Sequence, residues 1–201
     1  KNSIDLNQSS NVLALITELK KICNFDDDSN ESGKLNYLKE IIQELKEKKE
    51  KVIVFSQYVK TLEYIKENLN HKVLMYHGGM KTNEKDAVLD EFKNSPKPEI
   101  LLMSLKAGGV GLNLQEASTV ILFDRWWNPA VESQAIARAH RMGNKKIVHA
   151  IKMVTPESIE TRILELLHEK EELFEDIIEG AVEKRQEIIL RDLLEKTEPK
   201  E

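Results

Sequence analysis

One cysteine in 201 residues, Cys23, leaves no possibility of an internal disulfide, and an intracellular setting is the natural expectation. The five histidines, at 71, 77, 140, 149 and 168, stand at no metal-ligand spacing, so no metal site is expected. No apolar run approaches the ~18 residues of a membrane span. The opening residues carry no signal-peptide pattern, and a membrane is not expected among the partners. Arginine is scarce, at six residues against 24 lysines. With a net charge of −5, a generic nucleic-acid coat is disfavoured, because phosphate binding needs clustered positive charge. The phosphate-binding pattern G-x-x-x-x-G-K-[ST] is missing, and no Asp-Glu pair closes an apolar strand, so no self-sufficient site for a nucleotide and its magnesium ion is present.

What remains is a highly charged chain, 32% Asp, Glu, Lys and Arg against an average of about 25%. Its length suits one domain with helical appendages. Apolar spacing predicts helices over Val12–Cys23, Lys34–Lys49 and Tyr58–Leu69. Asn24–Gly33 is acidic and turn-rich, a linker. Thr82 is placed to cap a helix running to about Phe92. Val52–Phe55, Val73–Tyr76, Glu99–Met103, Thr119–Asp124 and Ile147–Val154 read as short strands. Strands alternating with helices predict a parallel sheet of about five or six strands with right-handed crossovers. Thr155-Pro156 reads as a cap and first turn for a long helix or helix pair ending near Gly180.

One stretch, Ser104–Met142, concentrates the chemistry. Lys106-Ala-Gly-Gly-Val-Gly111 follows a strand, and such a loop can turn backbone N–H groups toward a phosphate. Pro129 opens a helix in which Gln134, Arg138 and Arg141 share one face at i, i+4 and i+7. Arginines one turn apart suit a polyphosphate, because guanidinium presents forked donors and keeps its charge when desolvated. The competing reading is a surface helix whose arginines make structural ion pairs. Arg125 adds a third arginine to the stretch. Trp126 and Trp127 are expected to be packing or lobe-interface residues rather than base-stacking ones, and His140 a hydrogen-bonded structural histidine rather than a general base.

Three segments in this order resemble the Swi/Snf family of DNA-dependent ATPases, superfamily 2 helicase-like translocases. Lys51–Tyr58 (KVIVFSQY) looks like that family's motif IV, Ser104–Leu114 (SLKAGGVGLNL) like motif V, and Gln134–Gly143 (QAIARAHRMG) like motif VI. The match runs from about Lys34 to Gly180. It departs at Ala137, where the family usually has an acid, at Asn144, usually glutamine, and after Cys23, where Cys-Asn-Phe-Asp replaces Cys-Asn-His-Pro.

The resemblance implies an α/β fold: a RecA-like three-layer domain with a mostly parallel sheet, plus flanking N- and C-terminal helices. It divides the chain into an inter-lobe helix and acidic linker (1–33), the C-terminal helicase-like lobe (34–155) and bracing helices (156–201). Arg138 and Arg141 become arginine fingers that reach the ATP γ-phosphate across a cleft. Gln134, Gly109, Gly111 and Asn113 become nucleotide contacts, with Gly108 in the same loop. Ser56 and Gln57, His77 and Gly78, and Ser104 and Lys106 follow successive strands and become contacts to the backbone of double-stranded DNA. Lys106 is equally readable as an ordinary solvated lysine.

The cofactors implied are ATP and Mg2+, held mainly by a first lobe that this chain lacks. That lobe is expected upstream on the same polypeptide and is the implied partner, with DNA-bound proteins as further ones. The expected location is intracellular and DNA-associated. The alternatives are a non-catalytic lobe that binds or regulates a partner motor, and an unrelated nucleotide- or sugar-binding α/β domain.

Overall fold

Short apolar runs build the sheet. Val52–Ser56 (β1), Ile100–Ser104 (β3) and Thr119–Leu122 (β4) are buried at every position, as expected of parallel strands covered on both faces. Val73–Tyr76 (β2) is half-buried and His149–Lys152 (β5) is largely exposed, and these two form the edges. The computed structural model describes residues 6–26, 29–107, 112–140 and 147–169. Within them the strand order is β2-β3-β1-β4-β5, and every pair is parallel. The sheet is thus wholly parallel, with five strands.

Alternation along the strands sorts the core into two layers. Val52 and Val54 face a cluster with Leu35, Leu38 and Ile42 of α2 (Gly33–Glu47) and Leu62 and Ile65 of α3 (Val59–Asn68). Ile53 and Phe55 face Leu89 and Phe92 of α4 (Thr82–Asn94) and Ala135 of α5 (Pro129–Ala137). Helices on both faces of a parallel sheet make the three-layer α/β architecture. Full burial of each such aliphatic or phenyl side chain contributes about 1.5–3 kcal/mol.

A third cluster lies beside these layers. Ile16 of α1 (Leu6–Asn24) meets Ile163, Leu166 and Leu167 of α6 (Ile159–Glu169), with Trp127 buried between them. The helix at each end of the described chain therefore packs on the other, and Trp127 joins both to the β4 exit. The expected packing role of the tryptophans is what Trp127 shows. Among the described residues no helix is long and apolar enough to cross a membrane.

Helix ends differ from the sequence reading: α1 starts at Leu6 rather than Val12, and three other ends show the physical cause. Thr82 is the first helical residue rather than the cap. Lys81 holds the cap position, and its backbone N–H donates to Glu84 Oε2 at 2.9 Å. The last helix begins at Ile159, not at Thr155-Pro156. A turn intervenes in which Glu157 has φ 52°, and Ser158 Oγ accepts from the Glu160 N–H at 3.1 Å, so a hydroxyl displaces the threonine-proline start. Helix α5 stops at Ala137 with Arg138 as its C-cap, and the bonds tighten there: the Arg138 N–H reaches Ala135 O at 3.3 Å. The expected extension of bracing helices toward Gly180 lies outside the described residues.

Candidate functional site

Parallel strands send all their C-terminal ends to one edge, where ligands of open α/β sheets bind. The β1 exit holds Ser56 and Gln57, the β2 exit His77 and Gly78, and the β3 exit Ser104 and Lys106. In the sheet order β2-β3-β1-β4-β5 the first three exits are neighbours. The β4 exit, Phe123 to Asn128, leads into α5, which carries Gln134 and ends at Arg138. Among the described residues this edge gathers Ser56, Gln57, His77, Gly78, Ser104 and Lys106, with Gln134 and Arg138 on the helix that follows β4.

Their exposure separates them. Gln134 and Lys106 are exposed, as is Gly78, and His77 and Asn113 are half-buried. Ser56 and Ser104 are not accessible, being 0% and 4% exposed. Ser56 Oγ donates to Asp124, and Ser104 Oγ accepts from the Ala107 N–H at 3.2 Å. Both hydroxyls thus help shape the loops that follow their own strands. Gln57 is half-buried, and its side-chain Nε2 donates to the Arg125 carbonyl at 2.6 Å. Gly109, Gly111, Gly108 and Arg141 lie outside the described residues. His140 is exposed.

Arg138 is half-buried on the outer side of α5, while Ala135 and Ala139 pack on the sheet. Burial pushes its guanidinium below the ordinary value, and the Tyr76 phenol at the β2 end acts in the opposite direction. Its backbone carbonyl accepts the Leu114 N–H at 3.0 Å. That bond ties the exit of the glycine loop to the end of the arginine helix, two segments far apart in sequence. Beside it, Asn113 Oδ1 is buried without a hydrogen-bond partner.

Residues that the sequence reading passed over dominate the electrostatics of the β4 side. Three buried carboxylates each accept a backbone N–H from a strand exit. Asp124 takes Gln57 N at 3.1 Å, Glu132 takes Trp126 N at 2.9 Å, and Glu160 takes Thr155 N at 2.9 Å. Cations balance them. Arg125 bonds Glu132 through Nε at 2.8 Å and Nη2 at 3.0 Å. Lys34 Nζ meets Glu160 at 2.7 Å, and the Lys20 Nζ donates to the Arg125 carbonyl at 2.8 Å. Arg125 thereby serves in a structural ion pair. The only sequence signal for this network was the acidic residue closing the run TVILFD. Among the described residues no group of three or more His, Cys, Asp or Glu is placed to hold a metal. Asp124, Glu132 and Glu160 bond backbone N–H groups and side-chain donors instead.

The model of the helicase conserved C-terminal domain matches residues 33–143. An uncharacterised ATP-dependent helicase of Mycoplasma genitalium is 38% identical over 177 residues, covering 84% of this chain and 17% of that protein. The SWI2/SNF2 ATPase core domain of Sulfolobus solfataricus superposes with a TM-score of 0.78 at 29% identity, covering 100% of this chain and 43% of the other. The Sulfolobus core in complex with double-stranded DNA superposes at 0.75 with 30% identity, over 93% of this chain and 41% of that one. The chain spans less than half the length of each of these proteins.

Proposed function

Because this chain belongs to the helicase conserved C-terminal domain family, within its Swi/Snf-type ATPases, we propose that it works as the second lobe of an ATP-driven translocase or remodeller on double-stranded DNA. The observation that carries this reading is the bond from the Leu114 N–H to the Arg138 carbonyl at 3.0 Å. It supports a single edge at which the glycine loop and the arginine helix face the same ligand.

In this proposal the first lobe, elsewhere on the same polypeptide, holds ATP and Mg2+. Arg138 and Arg141 act from this lobe on the charge that develops as the γ-phosphoryl group transfers. A half-buried guanidinium suits that role, since partial desolvation strengthens its interaction with phosphate. Gln134, Gly109 and Gly111 complete the nucleotide side. Asn113 Oδ1, lacking a donor, suits a ribose hydroxyl. Gln57, His77, Gly78 and Lys106, on three neighbouring exits, form the edge that follows the DNA backbone. Contact with phosphate there is independent of sequence. Without the first lobe the fragment has no phosphate-binding lysine loop and is inactive as an ATPase.

The test is Arg138→Ala and, separately, Arg141→Ala in the full-length protein. Turnover should fall about 10³-fold or more, while nucleotide affinity falls far less. Arg→Lys should not restore it, because a point charge does not reproduce the planar fork. Near-normal DNA-stimulated turnover in both alanine variants would make the arginines structural.

A further inference from the structure

Gln57 is held at both ends by two consecutive residues of the β4 exit. Its backbone N–H lies 3.1 and 3.3 Å from the two carboxylate oxygens of Asp124, and its side-chain Nε2 is 2.6 Å from the carbonyl of Arg125. Those same two acceptors are gripped from α1. Asn24 Nδ2 donates to Asp124 Oδ2 at 3.2 Å, and Lys20 Nζ donates to the Arg125 carbonyl at 2.8 Å. Lys20 and Asn24 are four residues apart, so one face of one helical turn makes both contacts. Asn24 Nδ2 also reaches Thr61 Oγ1 at 3.1 Å, which brings in the first turn of α3 just past Gln57. Neither α1 residue is exposed to solvent beyond 1%.

The chemistry is poorly explained as anchoring alone. Burying an ammonium costs free energy that a well-packed apolar side chain avoids, and burial does push the Lys20 ammonium below its ordinary value, with Asp124, Glu160 and Glu132 opposing. Packing is already supplied nearby by Ile16 against Ile163 and Leu166. What an ammonium and an amide add is direction: each fixes one acceptor in one place.

We propose that α1 is a positioning element for the β1 exit, with Lys20 and Asn24 setting Gln57 through the Arg125 carbonyl and the Asp124 carboxylate. The consequence for DNA rests on the function proposed above; the placement of Gln57 does not. A shift of α1 along its axis would move both acceptors together. The segment that precedes the lobe thereby controls the loop at its ligand-facing edge.

The experiment uses the full-length protein with Lys20→Met and Asn24→Leu, each close in volume to the residue it replaces. Amide hydrogen exchange of a peptide spanning 55–60 should rise about tenfold, the effect of losing one hydrogen bond to a charged group. The DNA concentration for half-maximal ATPase stimulation should rise by a similar factor, while kcat at saturating DNA and the KM for ATP stay within about twofold. Ile163→Ala, which removes packing from the α1–α6 contact and none of these bonds, is the control and should leave exchange at 55–60 unchanged. If one of the two polar variants does not fold, the other carries the test, since each removes one grip. Unchanged exchange at 55–60, or an equal rise in Ile163→Ala, would overturn the proposal whatever the DNA response. Raised exchange with an unchanged DNA requirement would uphold the positioning and overturn the assignment of Gln57 to the DNA edge.

Discussion

Removing the carboxylate of Glu132 should be among the most damaging single changes outside the apolar core. Its side chain is 0% exposed and accepts three hydrogen bonds, two from Arg125 and one from the Trp126 N–H at 2.9 Å, while Lys152 Nζ makes an ion pair with it at 3.2 Å. The Lys152 arm counts for little, because that side chain is 40% exposed and solvent screens it. The other three matter. Arg125 has only 12% of its side chain exposed, so Glu132→Ala leaves a largely buried guanidinium and a backbone N–H without their acceptor. Breaking such a pair from one side costs about 3–5 kcal/mol, which for a chain of this size lowers Tm by roughly 6–20 °C.

Thermal unfolding of the 201-residue chain, followed by far-ultraviolet circular dichroism at fixed pH, reads this directly. Arg125→Met alone should also destabilise, by stranding the carboxylate. The double change Arg125→Met with Glu132→Leu should cost much less than the sum, because apolar side chains of similar volume replace both charges. A loss below about 1 kcal/mol in Glu132→Ala would place the pair among ordinary surface contacts and refute the argument that buried carboxylates hold the strand exits.

Other outcomes follow from the same structure. The isolated chain should hydrolyse ATP no faster than background, and a DNA-stimulated activity that survives repurification would sink the half-motor reading. Its DNA affinity should be weak, indifferent to base sequence, and should fall steeply between two salt concentrations, since net charge −5 opposes association and phosphate contacts release counterions; salt-independent binding would contradict this. Because burial lowers the Lys20 ammonium from its ordinary 10.5, the unfolded chain binds more protons than the folded one between the lowered value and 10.5. Stability should therefore rise with pH across that window relative to Lys20→Met, and parallel pH-stability curves for the two proteins would show that the ammonium is not desolvated.

The sequence by itself determined the parallel sheet and its exits. Apolar runs such as VIVF and TVIL admit burial only on both faces, and strands spaced by one helix each leave parallel pairing as the economical topology. It also determined which face of the Pro129 helix carries Gln134 and Arg138, because helical period is local. What it did not contain was the fate of single polar atoms. Ser56 and Gln57 are adjacent in sequence and both follow β1, yet one hydroxyl is sealed against Asp124 while the neighbouring side chain stands half-exposed. Nothing in the sequence pairs Arg125 with Glu132; the placement of Glu132 one turn into α5 does. Lys20 and Lys34 are buried because α1 and α2 close over the β4 exit. Helix ends moved for the same reason: the Glu160 carboxylate takes the Thr155 N–H, leaving Ser158 rather than Thr155 to cap α6. Periodicity follows from neighbours along the chain, whereas the partner of a buried polar group is chosen by whichever element the fold brings within about 3 Å of it.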